Sequence, residues 1–534
     1  RADTNTTADR GGIGHLTANG LPPRVGLAPR VGLAIALGAL HALAFGASPL
    51  WYLSIACLAG LYWLCAQEPV SGARRALALG FAYGMGLFIV GVSWLFISMN
   101  RYGGMPAPLA AGALVAFAAY LSLWPALACM LTVRLSRAGR TRIIAFAAAQ
   151  TLAEVGRGYL LTGFPWLAAG YAQMDGPLEG FAPILGVYGM GGAAALLAGA
   201  LSRILHKALS SRRIDLAAGA LALGVMTTGL VAGTLHWGEP SPSTLPIRLV
   251  QGNIAQNLKF DPGRTVATMH TYLGFLDGGS AALTVLPETA WTVPWEMTPP
   301  AVMRAVRERL GGDHVLAIGM PLRAPDEYSA GSALAAPAGS PRFTNSVAVV
   351  DHQLRMLARY DKRHLVPFGE FVPLGFRWFV DLMHIPLGDF ARGPPTQAAL
   401  LIDNTTIAFN ICYEDLFGEE LAAQVRQGAG ILINLSNIAW FGQSHALGQH
   451  LGIARIRARE LSRPMLRATN TGVSAAIDHR GQVQASLPVH EAGALIAQAR
   501  PVSGLTPFAR YGNTAAVLLS LMALIVVAWT RRRA

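Results

Sequence analysis

The sequence predicts an α/β domain held outside a membrane, inserted between the seventh and eighth helices of an eight-helix transmembrane bundle. Three observations lead there. The 534 residues are 53% hydrophobic and only 13% charged, where soluble proteins carry about 25% charged residues. Apolar runs of membrane-spanning length crowd the first 235 residues and recur once at the end. Between them, from Pro246 onward, short strand-like runs alternate with amphipathic helical ones.

The elements follow in chain order. Polar Arg1–Arg24 is expected to be a disordered cytoplasmic N-terminus. It lacks the layout of a signal peptide, so the run after it reads as a retained span. Residues 25–236 hold the first seven spans, at about Val31–Ala47, Leu50–Ala66, Ala76–Ser98, Pro106–Val133, Ile143–Leu161, Ala182–Leu205 and Leu216–Leu235. Residues 237–511 form the outside domain, and 512–534 carry the eighth span, Thr514–Trp529, with a cytoplasmic tail.

Charge orders these spans. Fifteen basic residues, from Arg24 through Arg134 and Arg203 to Arg533, fall on one side, and only Arg101 falls on the other. By the positive-inside rule both termini are cytoplasmic and the inserted domain faces outward. That domain holds 23 Lys and Arg against 22 Asp and Glu. The net charge of +13 is therefore a topology signal, and a nucleic-acid partner is not implied.

Within the domain, strands are expected at 247–254, 282–288, 314–322, 345–351, 406–412, 430–436 and 473–478. Helices are expected at 264–276, 299–310, 416–427 and 446–462. Alternation of this kind gives a layered α/β domain, where chemistry collects at strand ends. Three strand ends hold reactive residue types: VLPETAW with Glu288, YDKRHLVPFGEFVP with Lys362 and Glu370, and FNICYEDLFG with Cys412.

Taken singly, each has a bland reading. Glu288 fits a solvated strand-end carboxylate, Lys362 a surface charge cluster, and Glu370 a loop salt bridge or cap. Cys412 precedes Glu414 and Asp415 closely, and neighbouring carboxylates disfavour a thiolate. It is either a structural cysteine beside an acidic turn or a nucleophile whose partners lie elsewhere. Cys57, Cys65 and Cys129 lie in or beside spans, which leaves Cys412 as the domain's lone thiol in an oxidising compartment. That placement favours a reactive role. A helix start beneath it would favour the thiolate further.

Jointly, the order Glu…Lys…Cys with these flanking strings resembles the nitrilase or carbon–nitrogen hydrolase superfamily. The strings QGNIAQNLKF, NICYEDLF, NIAWFG and ARELSRPMLRATNTG, together with the seven-plus-one spans, are similar to its membrane-embedded branch, the apolipoprotein N-acyltransferases. The resemblance implies an αββα sandwich with a Glu-Lys-Cys triad. It makes Cys412 the nucleophile, Glu288 the general base and Lys362 the cationic stabiliser. Glu370 and Glu414 would support Lys362 and shape the site, and Tyr413 would set its backbone N–H or ring near the acyl group. Trp440, Phe441 and Phe260 would line the substrate pocket. A Trp is common at the place of Phe260 in the family, so this contact departs from the pattern while keeping an aromatic ring.

The reaction so implied moves an acyl chain from a phospholipid, typically phosphatidylethanolamine, through a Cys thioester to the α-amino group of a diacylglyceryl-cysteine apolipoprotein. The enzyme would be an inner-membrane monomer without cofactor or metal, its domain periplasmic. His364, His384, His445 and His450 are scattered and do not read as a ligand set.

Two further features bear on lipid. The aromatic stretch GFRWFVDLMHIPLGDF, with Trp378 and Phe379, is either a core helix or an apolar lid dipping into the interface. In span five, Glu154 and Arg157 share one helix face, as a structural pair or as the lining of a polar recess. The rival functions are a membrane-tethered nitrilase-like amidase and a non-enzymatic transporter or scaffold.

Overall fold

The computed structural model of the chain describes residues 26–46, 50–137, 139–276, 281–312, 314–328, 342–373, 375 and 390–533. The expected disordered segment Arg1–Arg24 lies outside them, as do Trp378 and Phe379 of the expected lid.

Each apolar run forms a helix: Leu27–Ala42, Trp51–Ala66, Ala73–Gly91, Ala107–Leu135, Arg140–Tyr159, Ala182–Ser211, Leu216–Thr234 and Thr514–Arg533. Among the described residues five helices are long and apolar enough to cross a membrane, while Leu27–Ala42 and Trp51–Ala66 are shorter apolar helices. Arg140–Tyr159 is long enough but more polar, because it carries Arg140, Arg142, Glu154 and Arg157. In the last helix Leu518, Met522, Ile525 and Val526 are all more than half exposed. A continuous apolar flank of this kind is stable against lipid and costly in water.

Small residues let the helices approach closely. A Cβ on Gly38 would overlap the carbonyl of Tyr83, and one on Gly86 would overlap that of Ile35. Those two glycines set Leu27–Ala42 backbone to backbone on Ala73–Gly91, as small residues do between helices in lipid. The basic loops are gathered by two buried carboxylates. Asp215 receives Arg140, Arg203 and Lys207, and Glu68 receives Arg30 and Arg75.

Glu154 and Arg157 brace a loop, and among the described residues no ion pair joins them. The backbone N–H of Ala169 donates to Glu154 Oε1 at 2.8 Å, and Arg157 donates to the carbonyls of Phe164 and Trp166, each at 2.6 Å.

The domain is a four-layer sandwich. Its strands are β1 (Glu239–Pro240), β2 (Leu245–Gln251), β3 (Leu283–Val285), β4 (Val315–Arg323), β5 (Phe343–Asp351), β6 (Met356–Asp361) and β7 (Leu400–Ile402). The others are β8 (Thr405–Ile411), β9 (Ile431–Ser436), β10 (Met465–Thr469), β11 (Ala475–Ile477), β12 (Val483–Ser486), β13 (Gly493–Ala499) and β14 (Val502–Ser503). One six-stranded sheet has the order β13-β2-β3-β4-β5-β6, the other β12-β11-β10-β9-β8-β7, and β1 pairs with β14 apart from both. In each sheet three adjacent strands run parallel: β2, β3 and β4 in the first, β8, β9 and β10 in the second.

The sheets face each other across Ile247, Val285, Val349, Ile407, Phe409, Ile433 and Leu466, all buried. Helices Thr265–Leu273 and Pro300–Leu310 cover the outer face of the first sheet through Met269, Tyr272, Val302 and Val306. Helices Gly418–Arg426 and Ala446–Leu461 cover the second through Leu421, Val425, Ala454 and Ala458. The expected strands and helices are all present with shifted ends, and β1, β6, β7, β10, β12, β13 and β14 are additional.

Helix Ala446–Leu461 joins the domain to the apolar helices. Gln449 Oε1 accepts from the indoles of Trp94 (3.2 Å) and Trp166 (2.7 Å), and its amide donates to the carbonyl of Gly91 at 3.1 Å. Arg455 makes a two-pronged pair with Asp175 at 2.8 and 2.6 Å. The N–H of Val187 donates to Glu460 at 2.8 Å.

Candidate active site

The parallel strands β3 and β8 both release the chain at one edge of the sandwich, and each is followed by an expected site residue. Glu288 comes just after β3 and Cys412 directly after β8. Strand β6 ends at Asp361 and delivers Lys362. Strand β5 runs antiparallel to β4, so its early residue Asn345 sits opposite Pro321 near the end of β4. The topology thus brings residues 288, 345, 362 and 412 to one place.

Lys362 is 1% exposed and its ammonium donates to Glu370 Oε1 at 2.9 Å and to Glu288 Oε1 at 3.3 Å. Burial alone would lower its pKa, but Glu370 and then Glu288 overcome this and hold it above the usual lysine range. It is a permanent cation. For Glu288, burial opposes ionisation, while Lys362 foremost, then the Asn345 amide, Lys259 and the Asn437 N–H, keep its carboxyl below the ordinary value. The carboxylate form, able to accept a proton, is the resting one.

Cys412 adopts a left-handed backbone, φ 51°. A non-glycine residue there carries roughly 1–2 kcal/mol of strain, which persists where the surroundings fix it and clusters at functional sites. The half-buried thiol opens a 3₁₀ turn, Cys412–Leu416, and the helix begins only at Gly418. The helix start expected beneath the sulfur is displaced by that turn. Burial pushes the thiol well above its ordinary range, Glu288 adds to the rise, and Lys362 opposes it. At rest the sulfur holds its proton.

The acidic neighbours of Cys412 are buried struts rather than a surface turn. Glu414 Oε1 accepts from the N–H groups of Arg363 (2.7 Å) and His364 (3.0 Å), next to Lys362. Its Oε2 accepts from the Ile411 N–H (2.7 Å) and the Tyr360 hydroxyl (2.9 Å). One carboxylate thus ties the lysine's loop to the strand end that carries the cysteine. Asp415 is held by Arg467 at 2.9 Å and by His450 at 3.1 Å. Tyr413 donates its hydroxyl to the carbonyl of Gly163 at 2.9 Å, anchoring the turn to the loop that Arg157 braces.

The expected pocket aromatics divide. Trp440 lies between Phe260 and Tyr102, with ring centroids 6.2 and 6.1 Å away. Phe441 turns the other way and packs on Trp94 at 4.2 Å.

Three residues of the site were not singled out by the sequence, although Lys259 and Asn437 lie in the strings QGNIAQNLKF and NIAWFG. Asn345 Nδ2 donates to Glu288 Oε1 at 2.8 Å and to Glu370 Oε1 at 2.7 Å, clamping the two carboxylates that flank the lysine. Asn437 donates its N–H to Glu288 Oε2 at 2.8 Å. Lys259, fully buried, donates to the backbone carbonyl of Glu288 at 2.9 Å, and burial pulls its pKa down to about 7. Asn345 was legible only as a strand residue, and Lys259 only as part of QGNIAQNLKF. Asn345→Ala is expected to lower turnover roughly 10²-fold, because hydrogen bonds to charged groups contribute about 1.5–3 kcal/mol each. Initial rates on protein with an unshifted melting temperature test this, and an unchanged rate would remove Asn345 from the site.

Together the groups offer a thiol, a carboxylate that can take its proton, and a fixed cation for a developing oxyanion, the requirements of covalent acyl transfer.

Residues 37–200 match the family model described as the apolipoprotein N-acyltransferase N-terminal domain, and residues 247–503 match the carbon–nitrogen hydrolase model. A protein of Ralstonia nicotianae named apolipoprotein N-acyltransferase is 43% identical over 507 residues, covering 93% of each chain. One of the same name from Bordetella bronchiseptica is 43% identical over 538 residues, covering 93% of this chain and 96% of its own. Among solved structures, an amidase of the nitrilase superfamily from Nesterenkonia AN1 aligns with 48% of this chain and 92% of its own, at 18% identity and a TM-score of 0.33.

Proposed function

Because the chain belongs to the apolipoprotein N-acyltransferase family, we propose that it transfers an acyl chain from a phospholipid, through a thioester on Cys412, to the α-amino group of a diacylglyceryl-cysteine apolipoprotein. The observation that carries the residue assignment is the closed set formed by Lys362 with Glu288, Glu370 and Asn345 at the strand edge that also bears Cys412.

In the first half-reaction Cys412 Sγ attacks the ester carbonyl of the donor, typically phosphatidylethanolamine, as its proton passes to Glu288. Lys362 and backbone N–H groups stabilise the tetrahedral oxyanion. Collapse breaks the C–O bond, and the departing glycerol oxygen takes the proton from Glu288, giving a lysophospholipid and the thioester. In the second half-reaction the neutral amine attacks the thioester carbon and yields its proton to Glu288. The C–S bond breaks, the amide leaves, and the sulfur recovers the proton. Glu370 and Glu414 hold Lys362 and its loop in register, and Tyr413 anchors the turn. Phe260 and Trp440 line the approach for lipid chains, while Phe441 backs the same turn against Trp94.

The same reading supplies the setting. Eight helices form the bundle, with the domain inserted between the seventh and eighth. The segments 1–24, 25–236, 237–511 and 512–534 serve as tail, bundle, catalytic domain and final helix with its tail. The protein sits in the inner membrane as a monomer, its domain periplasmic and its termini cytoplasmic. A tethered amidase would leave the match over residues 37–200 without a purpose.

Mass spectrometry of the detergent-purified protein with phosphatidylethanolamine tests the proposal. An acyl-sized mass on the Cys412 peptide is expected, and an amine-bearing lipopeptide should discharge it. Folded protein that turns over without ever carrying that mass would contradict the covalent route.

A further inference from the structure

A second cluster of cations lies where two of the apolar helices meet the domain, and none of its members belongs to the site around Cys412. A recess there is lined by His236, Trp237, Arg459, Ser462, His479 and Arg480, with Pro183 and Leu235 at its rim. His236 is the second residue past helix Leu216–Thr234, and Pro183 is the second residue of helix Ala182–Ser211. On the membrane reading above, on which this inference rests, the recess opens at the level of the outer headgroups. Trp237 beside it is the residue type favoured at that depth.

The cations are loosely paired. Arg459 donates to the carbonyl of Gly233 at 2.9 Å and forms a long ion pair with Glu179 at 3.6 Å. Its side chain is 8% exposed, and its Nε has no partner among the described residues. The buried Nε1 of Trp237 likewise has none among the described residues. Arg480 is exposed, and its guanidinium meets the ring of His236 at 2.5 Å instead of a carboxylate. Asp478 is nearby, but its oxygens already receive the N–H groups of Arg480 and Gln482, each at 2.9 Å, and the Gln484 amide at 2.8 Å. The field leaves a trace on His479. Burial lowers its pKa first, and Arg480, Arg459 and His236 lower it further against Asp478.

We propose that this recess binds the phosphate of a membrane phospholipid headgroup, as a site separate from the acyl-donor pocket. Two guanidinium groups supply the positive charge, two imidazoles and an indole N–H line the same recess, and Glu179 and Asp478 are the carboxylates that stand near them. A phosphodiester brings the acceptor oxygens these donors lack. Its acyl chains would run down the apolar flanks of the helices that begin and end at the rim. Occupancy would pin the bundle to the domain at a point distant from the chemistry.

The test uses the full-length protein, delipidated in detergent and titrated in native mass spectrometry with phosphatidylglycerol, with diacylglycerol of the same chains, and with inorganic phosphate. Arg480→Glu, and Arg480→Gln beside it, should weaken binding of one phosphatidylglycerol roughly tenfold, the loss of one charge-assisted hydrogen bond. Diacylglycerol should not distinguish wild type from variants, and millimolar inorganic phosphate should not displace the lipid. Equal phosphatidylglycerol affinity in wild type and both variants, with unchanged melting temperatures, overturns the proposal. Displacement by inorganic phosphate overturns the lipid source. The same spectra report the acyl mass on Cys412. Its presence without the extra lipid rejects the recess alone, whereas its absence from wild type rejects the reading of the active site.

Discussion

Cys412→Ala is expected to abolish N-acyl transfer, by roughly 10⁴-fold or more as for loss of other catalytic nucleophiles, and to remove the acyl mass from the 412 peptide. The fold should survive, because alanine meets the same left-handed backbone, φ 51°, that cysteine already tolerates there. The struts around it also stay: Glu414 still receives the Ile411 N–H, and Asp415 still pairs with Arg467. Cys412→Ser should be nearly as inactive. Glu288 is held below the ordinary carboxylate pKa, so it is a weak base that can assist a thiol in attack but is poorly matched to an alcohol. A serine variant that kept a tenth of the wild-type rate would mean that proton removal from residue 412 is not what the site is built for. The measurement is the rate of lipopeptide N-acylation, read beside intact-protein mass.

The proposed reactive residues were legible from the short strings that hold them: Glu288 and Cys412 close expected strands, β3 and β8, while Lys362 stands in a Pro- and Gly-punctuated loop that follows β6. Their surroundings were not. Asn345 looks like any polar residue at the start of a strand until β4 and β5 pair, which sets it beside two carboxylates far along the chain. Asn437 and Lys259 reach Glu288 across 149 and 29 residues, and no local pattern encodes such reach. Sequence adjacency actively misled at Glu414 and Asp415. Beside a cysteine they look like an exposed acidic turn, yet both are buried and their oxygens are taken up by N–H groups, Arg467 and His450. The strand β6 was hidden for a related reason. Its sequence MLARYD is charged, and its partner face is shaped by the ion pair of Arg359 with Asp361 rather than by alternating apolar residues. Strand β13 closes its sheet against β2, at the far end of the domain, a pairing that alternation alone cannot announce.

Glu288→Gln should separate the proton's path from the rest of the machinery. In the wild type the carboxyl lies below its ordinary value and the thiol well above its own. The base is therefore already ionised, and the nucleophile still protonated, across the neutral range. Acylation of Cys412 by phospholipid, followed in a single turnover, should owe no change between pH 6 and 8 to either of these two groups, since neither titrates there; a step near pH 7 would report Lys259, which burial pulls down to about 7 beside Glu288. The single turnover matters because the acceptor amine, with a pKa near 8, would impose its own rise on the complete reaction. Glutamine keeps the side chain's size but cannot take the proton, and it removes the negative charge that holds the thiol up. Two effects then oppose each other. The thiol pKa falls, with burial and Glu370 still raising it against Lys362, while attack loses its general base. General-base help is worth about 10²–10⁴-fold, so the variant should be slower by that order at pH 7. Its remaining activity must use the small fraction of preformed thiolate, so its rate should climb close to tenfold per pH unit up to the new thiol pKa. A flat profile in the variant would assign the proton to another acceptor, for which Glu370, bonded to the same lysine at 2.9 Å, is the nearest candidate.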